Sequence, residues 1–285
     1  MKNNYSIAQR HHLDKQHIKL SYITHFYCNQ NDPQSVFTLL KEYEKLPSDI
    51  REVVEFVIVD DGSPVEYETG EYQLNITWLR IKEDIRWNQA GARNLGVTYA
   101  KSDKIIVLDL DQELPENTFR YLINHKNPNR NFYKIYHECR ENGFVDRGKT
   151  YNIGDRYHGH SNTFFMSRAR FMRFWGYDEE FAGNYGAEDF RFVKFHKYHG
   201  SKQRYLPKNI RCFERNVDRK KSYHSLNRDL TANTPIDLRK KQECSLFGSE
   251  YGHSRIFLNF TWEMKYQNNL APKKLPPEKK WWRPL

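Results

Sequence analysis

Two aspartates separated by one residue follow a short apolar segment in the middle of the chain. The run of branched apolar residues 105–108 leads directly into Asp109 and Asp111. Such a run is typical of a strand buried on both faces of a parallel sheet. Since an ionised carboxylate is costly to bury, we expect the strand to end here and the aspartates to face a cleft. Two carboxylates at a strand end suit a hard divalent cation, which usually arrives with a substrate diphosphate, and a solvated acidic turn is the alternative.

A second acidic pair follows another predicted strand. Asp60 and Asp61 come directly after the apolar segment 55–59 and before the turn residues 62–64. A strand end followed by turn residues is again a place where polar side chains emerge from a sheet. The alternative is an aspartate that caps its own turn.

Arg93 and Asn94 lie in a predicted helix at 88–100 that begins with small residues. Gly91 and Ala92 would let the backbone approach a ligand closely. The planar guanidinium of Arg93 suits a phosphate or a base edge with two-point geometry, and a surface arginine on a helix is the alternative.

Glu188 and Asp189 open a predicted helix that runs from 187 to about 199 and is stopped by Gly200. The helix dipole favours negative charge in a first turn, so simple helix-start chemistry is one interpretation of this pair. The other is a pair of functional carboxylates that this helix presents to a cleft.

Alternating strand and helix patterns predict the framework that positions these residues. Strand, helix, strand, strand, helix and strand follow one another at 20–27, 33–46, 55–59, 76–81, 88–100 and 104–108. This order indicates a nucleotide-binding α/β fold, with a mostly parallel sheet flanked by helices. Ligands bind such sheets at the carboxyl ends of the strands.

Composition narrows the class of protein. The chain has 285 residues, a formal net charge of +10, and four cysteines that form no metal-binding or redox motif. No apolar run is long enough for a membrane span, and the amino-terminal segment is too polar for a secretory signal. We therefore expect a cytoplasmic protein with reduced thiols, and the basic charge suits nucleic acid, an anionic membrane or a phosphate-bearing substrate.

Four motifs in sequence order resemble the family 2 inverting glycosyltransferases with the GT-A fold. They are Val-Asp-Asp-Gly-Ser at 59–63, Asn-Gln-Ala-Gly-Ala-Arg-Asn-Leu-Gly at 88–96, Asp-Leu-Asp at 109–111 and Gly-Ala-Glu-Asp at 186–189. The stretch 176–189 is similar to the acceptor-side motif of galactosyl- and N-acetylgalactosaminyl-transferases, including chondroitin-type polymerases. It departs from that motif at Gly186-Ala187, where the group usually has Trp-Gly-Gly.

The resemblance implies how a UDP-sugar donor would bind. The candidate donor-site and substrate-site residues are Tyr27, Asp60, Asp61, Arg93, Asn94, Asp109 and Glu188. Asp60 would contact the uracil or ribose, because a carboxylate accepts from an N–H or a hydroxyl, and Asp61 would lie close by. Tyr27 would line or stack on the base.

The resemblance also implies a metal and a base. Asp111 would hold Mn²⁺ or Mg²⁺, Asp109 would touch the ribose or a metal-bound water, and His224 would add a nitrogen ligand. Asp189 would take the proton from the acceptor hydroxyl, while Glu188 binds sugar hydroxyls.

The implied organisation divides the chain into an N-terminal arm at 1–19, a nucleotide-sugar half at 20–115, an acceptor half at 116–241 and a basic aromatic extension at 242–285. The sugar would be galactose, N-acetylglucosamine or N-acetylgalactosamine. The acceptor would be a glycan or glycolipid of a bacterial capsule or lipooligosaccharide, and the basic tail 273–283 suits contact with the inner face of an anionic membrane.

Two other classes of function remain open at this stage. A non-catalytic protein that binds nucleic acid or another polyanion would explain the charge and the aromatic residues, but it leaves the aspartates unexplained. No nucleic-acid-binding motif is present, so nucleic acid is not the expected partner. A nucleotidyltransferase would need a glycine-rich loop after the first strand, and residues 27–33 contain no glycine.

Overall fold

The structure is a computed structural model in which most of the chain is described. The described residues are 17–28, 33–140, 144–146, 149–159, 162–215, 217, 229, 231–248 and 251–270. The predicted metal ligand His224, the basic tail and residues 1–16 of the predicted arm lie outside them. Within these described ranges, no helix is both long enough and apolar enough to span a bilayer.

Strands and helices alternate through the first half of the chain, whereas most strands of the second half have only three or four residues. The strands are β1 (Leu20–Phe26), β2 (Val54–Asp60), β3 (Asn75–Ile81), β4 (Lys104–Val107), β5 (Gln112–Glu113), β6 (Asn131–Lys134), β7 (Tyr136–Glu138), β8 (Phe144–Asp146), β9 (Lys149–Tyr151), β10 (Arg156–His158), β11 (Phe164–Ser167), β12 (Lys202–Tyr205), β13 (Arg211–Glu214) and β14 (Trp262–Asn268). The helices are α1 (Gln34–Glu44), α2 (Ser48–Arg51), α3 (Gln89–Tyr99), α4 (Glu116–Asn124), α5 (Arg168–Arg173), α6 (Glu188–Tyr198) and α7 (Thr234–Phe247), with a 3₁₀ turn at Glu179–Phe181.

The main sheet has the strand order β12-β6-β11-β4-β1-β2-β3-β14. Its centre is parallel, because β1 pairs in parallel with β2 and β4, and β2 pairs in parallel with β3. The carboxyl ends of these four strands therefore lie at one edge. A smaller sheet in the order β10-β7-β13-β5 starts at β5, immediately after the aspartates of segment 109–111.

Helices cover both faces of the main sheet. On one face, Tyr43 of α1 and Phe119 of α4 pack against Tyr22 of β1. On the other face, α3 approaches β1 so closely that a Cβ on Gly96 would lie 2.5 Å from Cγ2 of Ile23. This close approach places the first turns of α3 beside the strand ends.

The α/β architecture predicted from the sequence is confirmed, and the six predicted strands and helices of segment 20–115 each begin and end within two residues of their predicted positions, whereas the short α2 and β5 were not predicted. The carboxyl-terminal region differs. The predicted boundary at 241/242 falls inside α7, and β14, which was assigned to an extension, pairs antiparallel with β3. The reason is that β3 would otherwise expose an unpaired edge of the sheet.

Candidate active site

The parallel strands bring the predicted aspartates to one edge of the main sheet. Asp60 is the last residue of β2, and Asp109 lies two residues beyond the end of β4. Strand β1 lies between β2 and β4, so Tyr27, directly after β1, enters the same region. Ligands bind at this edge in α/β sheets of this kind.

Asp60 is fully buried, and both of its carboxylate oxygens are engaged. Oδ1 accepts a hydrogen bond from the backbone N–H of Ser63 at 2.8 Å, and Oδ2 accepts from the hydroxyl of Tyr67 at 2.6 Å. Arg80 lies 3.6 Å from Oδ2. Burial raises the pKa of Asp60 despite these partners. Asp60 therefore holds the turn after β2. This is the turn-capping role that the sequence offered as the alternative for the acidic pair.

Asp61 is the member of this pair that retains binding capacity. Its side chain is buried, and Oδ1 has no hydrogen-bond partner among the described residues. Burial, followed by the charge of Asp60, raises the pKa of Asp61 well above its usual range. Thr24 Oγ1 and His25 Nδ1 at the end of β1 are also buried without a partner in the described chain. Buried polar atoms without partners are rare in proteins and are typical of a site that receives a ligand.

Tyr27 lies at the margin of this edge. Its hydroxyl donates to the carboxylate of Asp84, with distances of 3.0 and 3.1 Å to the two oxygens. Burial and this hydrogen bond raise the pKa of Tyr27. The side chain of Tyr27 is half-buried.

Arg93 occupies the centre of the site. Its side chain is completely buried, with Nη1 donating to Asp189 at 2.6 Å and Nη2 donating to Asp109 at 2.9 Å. Nη2 also lies 3.3 Å from Gln89 Oε1, and the guanidinium stands over the ring of Tyr177. Arg93 thus bridges two carboxylates, and its burial excludes the surface arginine considered from the sequence.

Asp109 is held from both sides. Oδ1 accepts from Arg93, and Oδ2 accepts from the side-chain amide of Asn162. Asn162 precedes β11, which pairs antiparallel with β4, and this pairing brings it to the aspartate. Sequence reasoning missed Asn162, because a single asparagine in a loop gives no local signal.

Glu188 and Asp189 begin α6 and complete the cluster of carboxylates. Glu188 is 7% exposed, and its Oε2 has no hydrogen-bond partner among the described residues. Burial and then the charge of Asp189 raise the pKa of Glu188. Burial also raises the pKa of Asp189, where Arg93 acts in the opposite direction and Asp109 adds to the increase. A raised pKa makes a carboxylate a stronger base.

The loop before α6 is held in an unusual backbone conformation. Gly186 has φ +94° and Ala187 has φ +79°, a region that residues with a Cβ rarely adopt. The side-chain amide of Asn233 donates to the carbonyl oxygens of Gly186 at 2.7 Å and Asn184 at 3.1 Å. This contact, from just before α7, fixes the position from which Glu188 enters the site.

Asn94 does not reach the site. Its amide nitrogen donates to Tyr177 O and to Glu179 Oε1, and its Oδ1 accepts from Tyr177 N. The side chain is fully buried and anchors the segment 177–179 to α3. Because all of these contacts are internal, Asn94 supports the acceptor side and leaves no group for a substrate.

Tyr177, which follows Gly176 in the motif 176–189, belongs to the core. Its ring is buried and stacks on Phe192 at 4.2 Å. A different aromatic pair lies just before α6, where the ring centroids of Trp87 and Tyr185 are 4.8 Å apart. Both of these residues are half-buried, and sequence reasoning did not single out Trp87.

The described residues contain no group of three or more His, Cys, Asp or Glu side chains that could hold a metal ion by itself. Asp111 is half-buried, and its carbonyl oxygen accepts from the backbone N–H of Arg215 at 2.8 Å. The guanidinium of Arg215 donates to Leu110 O at 2.6 Å, which fixes the backbone on both sides of the aspartate. One protein carboxylate fits Mg²⁺ or Mn²⁺ when substrate phosphates and water supply the other oxygens.

The sequence profile of Glycosyl transferase family 2 matches residues 34–186, which is more than half of the chain. The chain therefore belongs to this family, as the four motifs suggested. None of the curated proteins compared with the sequence matches it.

Solved glycosyltransferase structures resemble the chain at low sequence identity. GalNAc-T7 with UDP, GalNAc and Mn²⁺ is 13% identical, with a TM-score of 0.51 over 83% of this chain and 53% of that protein. TarS of S. aureus is 15% identical, with a TM-score of 0.49 over 82% and 68%. The mannosyltransferase PcManGT from Pyrobaculum calidifontis, with GDP-Man and Mn²⁺, is 15% identical, with a TM-score of 0.46 over 83% and 64%. The chain thus spans about half to two thirds of these proteins, and the GT-A fold is confirmed.

Proposed function

We propose that the chain is a metal-dependent inverting glycosyltransferase that moves a sugar from a UDP-sugar to a hydroxyl of a glycan. The observation that carries this proposal is the bridge made by Arg93. It joins Asp109, at the end of a nucleotide-side strand, to Asp189, at the start of the acceptor-side helix. The two predicted halves, 20–115 and 116–241, therefore share one site, as transfer between two substrates requires.

The nucleotide binds at the ends of β1 and β2 in this proposal. Asp61 is buried there, and Asp61 Oδ1 and His25 Nδ1 are buried atoms that lack partners in the described chain, while Tyr27 lies at the margin. Uracil offers one N–H donor and carbonyl acceptors, which suit a carboxylate and an imidazole. Asp60 contributes indirectly, by holding the turn that carries Asp61.

Asp111 holds Mn²⁺ or Mg²⁺ together with the donor diphosphate, and His224 is a further candidate ligand. The ion, when bound, would neutralise the charge that develops on the departing UDP. Asp109 is already engaged by Arg93 and Asn162, so we assign it to the ribose and to positioning.

The transfer step uses Asp189 as the base. Its carboxylate accepts the proton of the acceptor hydroxyl while that oxygen attacks the anomeric carbon of the donor sugar. The bond from this carbon to the phosphate oxygen breaks on the opposite face, and its electron pair leaves with UDP. Arg93 fixes the orientation of Asp189, and burial raises the pKa of this carboxylate toward the value that a base needs.

Glu188 binds hydroxyl groups of the sugar or acceptor next to the base. One of its oxygens is buried without a partner in the described chain, so a sugar hydroxyl can donate to it. The rings of Trp87 and Tyr185, inclined at 59° to each other, offer apolar faces against which a pyranose ring can pack. This pair stands beside Gly186-Ala187, where the sequence departs from the family motif, and we assign it to acceptor selection.

The proposed acceptor is a glycan or glycolipid of a bacterial surface polysaccharide, such as a capsule or lipooligosaccharide. The proposed location is the cytoplasm, with peripheral contact at the inner face of the membrane through the basic tail. Both assignments rest on the family resemblance and on the charge of the chain.

A panel of donors tests the proposal. UDP-galactose, UDP-N-acetylglucosamine, UDP-N-acetylgalactosamine and GDP-mannose are incubated with the protein in Mn²⁺, Mg²⁺ or chelator, and UDP or GDP release is followed by NMR. We expect slow, metal-dependent hydrolysis of one UDP-sugar, with the anomeric configuration of the first-formed sugar inverted. Hydrolysis in chelator, or release only from GDP-mannose, would contradict the proposal.

A further inference from the structure

A second cavity lies at the far end of α6, away from the carboxylates. Its volume is about 320 Å³, and it is lined by Arg173, Phe174, Trp175, Phe195, His199, His253, Ser254 and Arg255. Asp189 and His199 are ten residues apart along this helix, which separates the cavity from the proposed base by about 15 Å. None of the lining residues is acidic.

Two nearby arginines have a structural explanation. Arg130 donates to the carbonyl oxygen of Gly200, and Arg170 donates to that of His199. These contacts satisfy carbonyl groups at the carboxyl end of α6, where the helix dipole favours positive charge. Helix capping therefore accounts for this pair without a ligand.

Neither of the two arginines that line the cavity caps a described carbonyl group, although Arg173 lies in the last turn of α5, where the helix dipole favours positive charge. Arg173 and Arg255 make no ion pair and no hydrogen bond with any described residue. Their guanidinium groups instead lie 5.8 Å from the ring centroid of Phe174 and 5.9 Å from that of Trp175. The charge of Arg173 also lowers the pKa of Arg170, after the larger effect of burial. The carboxylate of Asp178 lies beside the lining residue Ser254, but it is engaged by Ser254 and Lys240 and pairs with neither arginine. The two arginines repel each other, and an anion between them would relieve the repulsion.

Trp175 adds an aromatic surface to this cavity. Its ring is 43% exposed, and its φ of +64° lies in the left-handed region that is costly for a bulky residue. Backbone hydrogen bonds from Trp175 to Met172 O and from Gly176 to Phe171 O hold this conformation. Residues kept in sparsely populated conformations are often found at binding sites.

We propose that this cavity binds one negatively charged sugar of the acceptor glycan, a unit that carries a phosphate or a carboxylate. The planar guanidinium groups of Arg173 and Arg255 match such an anion, and the indole of Trp175 matches the apolar face of a pyranose. The volume is in the range that holds a small ligand. This inference rests on the proposed function, since it places a remote unit of the same acceptor about 15 Å from the reacting hydroxyl.

Binding of matched monosaccharides tests the proposal. Glucose 6-phosphate, glucuronate and neutral glucose share one ring and differ in charge, and the indole N–H signal of Trp175 in an NMR spectrum reports their binding. We expect the two anions to bind and glucose to bind at least tenfold more weakly. The double variant Arg173→Gln/Arg255→Gln should weaken the anions at least tenfold, whereas Arg204→Gln, an exposed arginine on β12, should not.

The same samples separate this proposal from the proposed transferase. UDP with Mn²⁺ should bind equally to the wild type and to the double variant. If UDP binds but the charged sugars bind the double variant as tightly as the wild type, the cavity proposal is overturned and the transferase stands. If the double variant loses binding to phosphatidylglycerol vesicles but keeps glucuronate, the arginines belong to a lipid surface, and the proposal is equally overturned. Failure of UDP to bind any variant would instead overturn the transferase.

Discussion

The two ends of helix α6 carry opposite charge. At its start, Glu188 and Asp189 join Asp109 around the single guanidinium of Arg93. At its end, four arginines gather near a cavity without an acidic lining residue, and they are Arg130, Arg170, Arg173 and Arg255. One helix thus separates an acidic region from a basic one by about 15 Å.

This separation shows why the net charge of +10 is a poor guide to the function of the chain. The sum conceals an acidic cluster that a polyanion would avoid, because carboxylates repel phosphates unless a metal ion lies between them. The polyanion-binding interpretation therefore fits only the basic end of α6. The acidic end fits hydroxyl groups and a cation-bound diphosphate.

Substitution of the proposed base should abolish sugar transfer without changing donor binding. Asp189→Asn keeps the shape of the side chain but cannot accept the proton, so we expect the transfer rate to fall about a thousandfold. Binding of UDP with Mn²⁺, measured by calorimetry, should change less than threefold. Asp49→Asn, at an exposed position on α2, is the control and should retain full activity. Full turnover by the Asp189 variant would exclude this residue as the base.

Substitution of Arg93 should destabilise the fold around the start of α6. Arg93→Met leaves Asp109 and Asp189 without their shared partner, and the loss of one partner from a buried ion pair costs about 3 kcal/mol or more. Denaturant unfolding of the variant and of Arg93→Lys provides the measurement. Lysine carries the charge but not the two-point geometry. The decrease in unfolding free energy should therefore be smaller for Arg93→Lys than for Arg93→Met. Equal stability of wild type and Arg93→Met would refute the bridging role.

The pH dependence of the transfer rate should reflect the raised pKa of Asp189. Asp189 must be ionised to accept a proton, and burial raises its pKa above the usual value of 3.8. The transfer rate should therefore decline, about tenfold per pH unit, at a higher pH than for an ordinary aspartate. Since the charge of Arg93 lowers this pKa, any Arg93→Met enzyme that remains folded should show the decline at a still higher pH. A rate that stays constant down to pH 4 would contradict the account.

Asp61→Asn should have the smallest effect on the fold, and in the stabilising direction. Burial raises the pKa of Asp61, so ionisation of this carboxylate destabilises the folded state at neutral pH. Below the pKa of the unfolded chain, near 3.8, the aspartate is protonated in both states and this destabilisation disappears. The gain in unfolding free energy should thus be absent at pH 3 and grow as the pH rises. UDP affinity should fall, and a variant less stable than the wild type at pH 7 would argue against the buried charge.

Much of the fold could be predicted because its signals are local. The apolar runs that end at Asp60 and Asp109, and the small residues of segment 88–96, mark strands and a helix within a few positions. β14 escaped prediction because its sequence, Trp-Glu-Met-Lys-Tyr-Gln-Asn, is polar and becomes a strand only by pairing with the edge of β3. Tertiary pairing of this kind leaves no periodic pattern.

The roles of the site residues were harder to predict than their positions. Arg93 and Asp189 are 96 positions apart, and only the folded chain shows that they form an ion pair. Asn94, next to Arg93, carries a polar amide of the kind that often binds ligands. Its side chain nevertheless points inward, to Tyr177 and Glu179. A motif identifies adjacent residues such as Arg93 and Asn94. Which of the two faces the site depends on how the helix packs against the rest of the chain.

A calorimetric titration of UDP tests whether the strand ends form a metal-assisted nucleotide-sugar site. The wild type and Asp111→Asn are each titrated in Mn²⁺, in Mg²⁺ and in chelator at constant ionic strength. The account predicts that the wild type binds UDP only with a divalent cation and that Asp111→Asn loses this binding while it keeps its fold by circular dichroism. UDP binding of equal strength in chelator, or in the Asp111 variant, would contradict a metal-assisted nucleotide-sugar site at the ends of these strands.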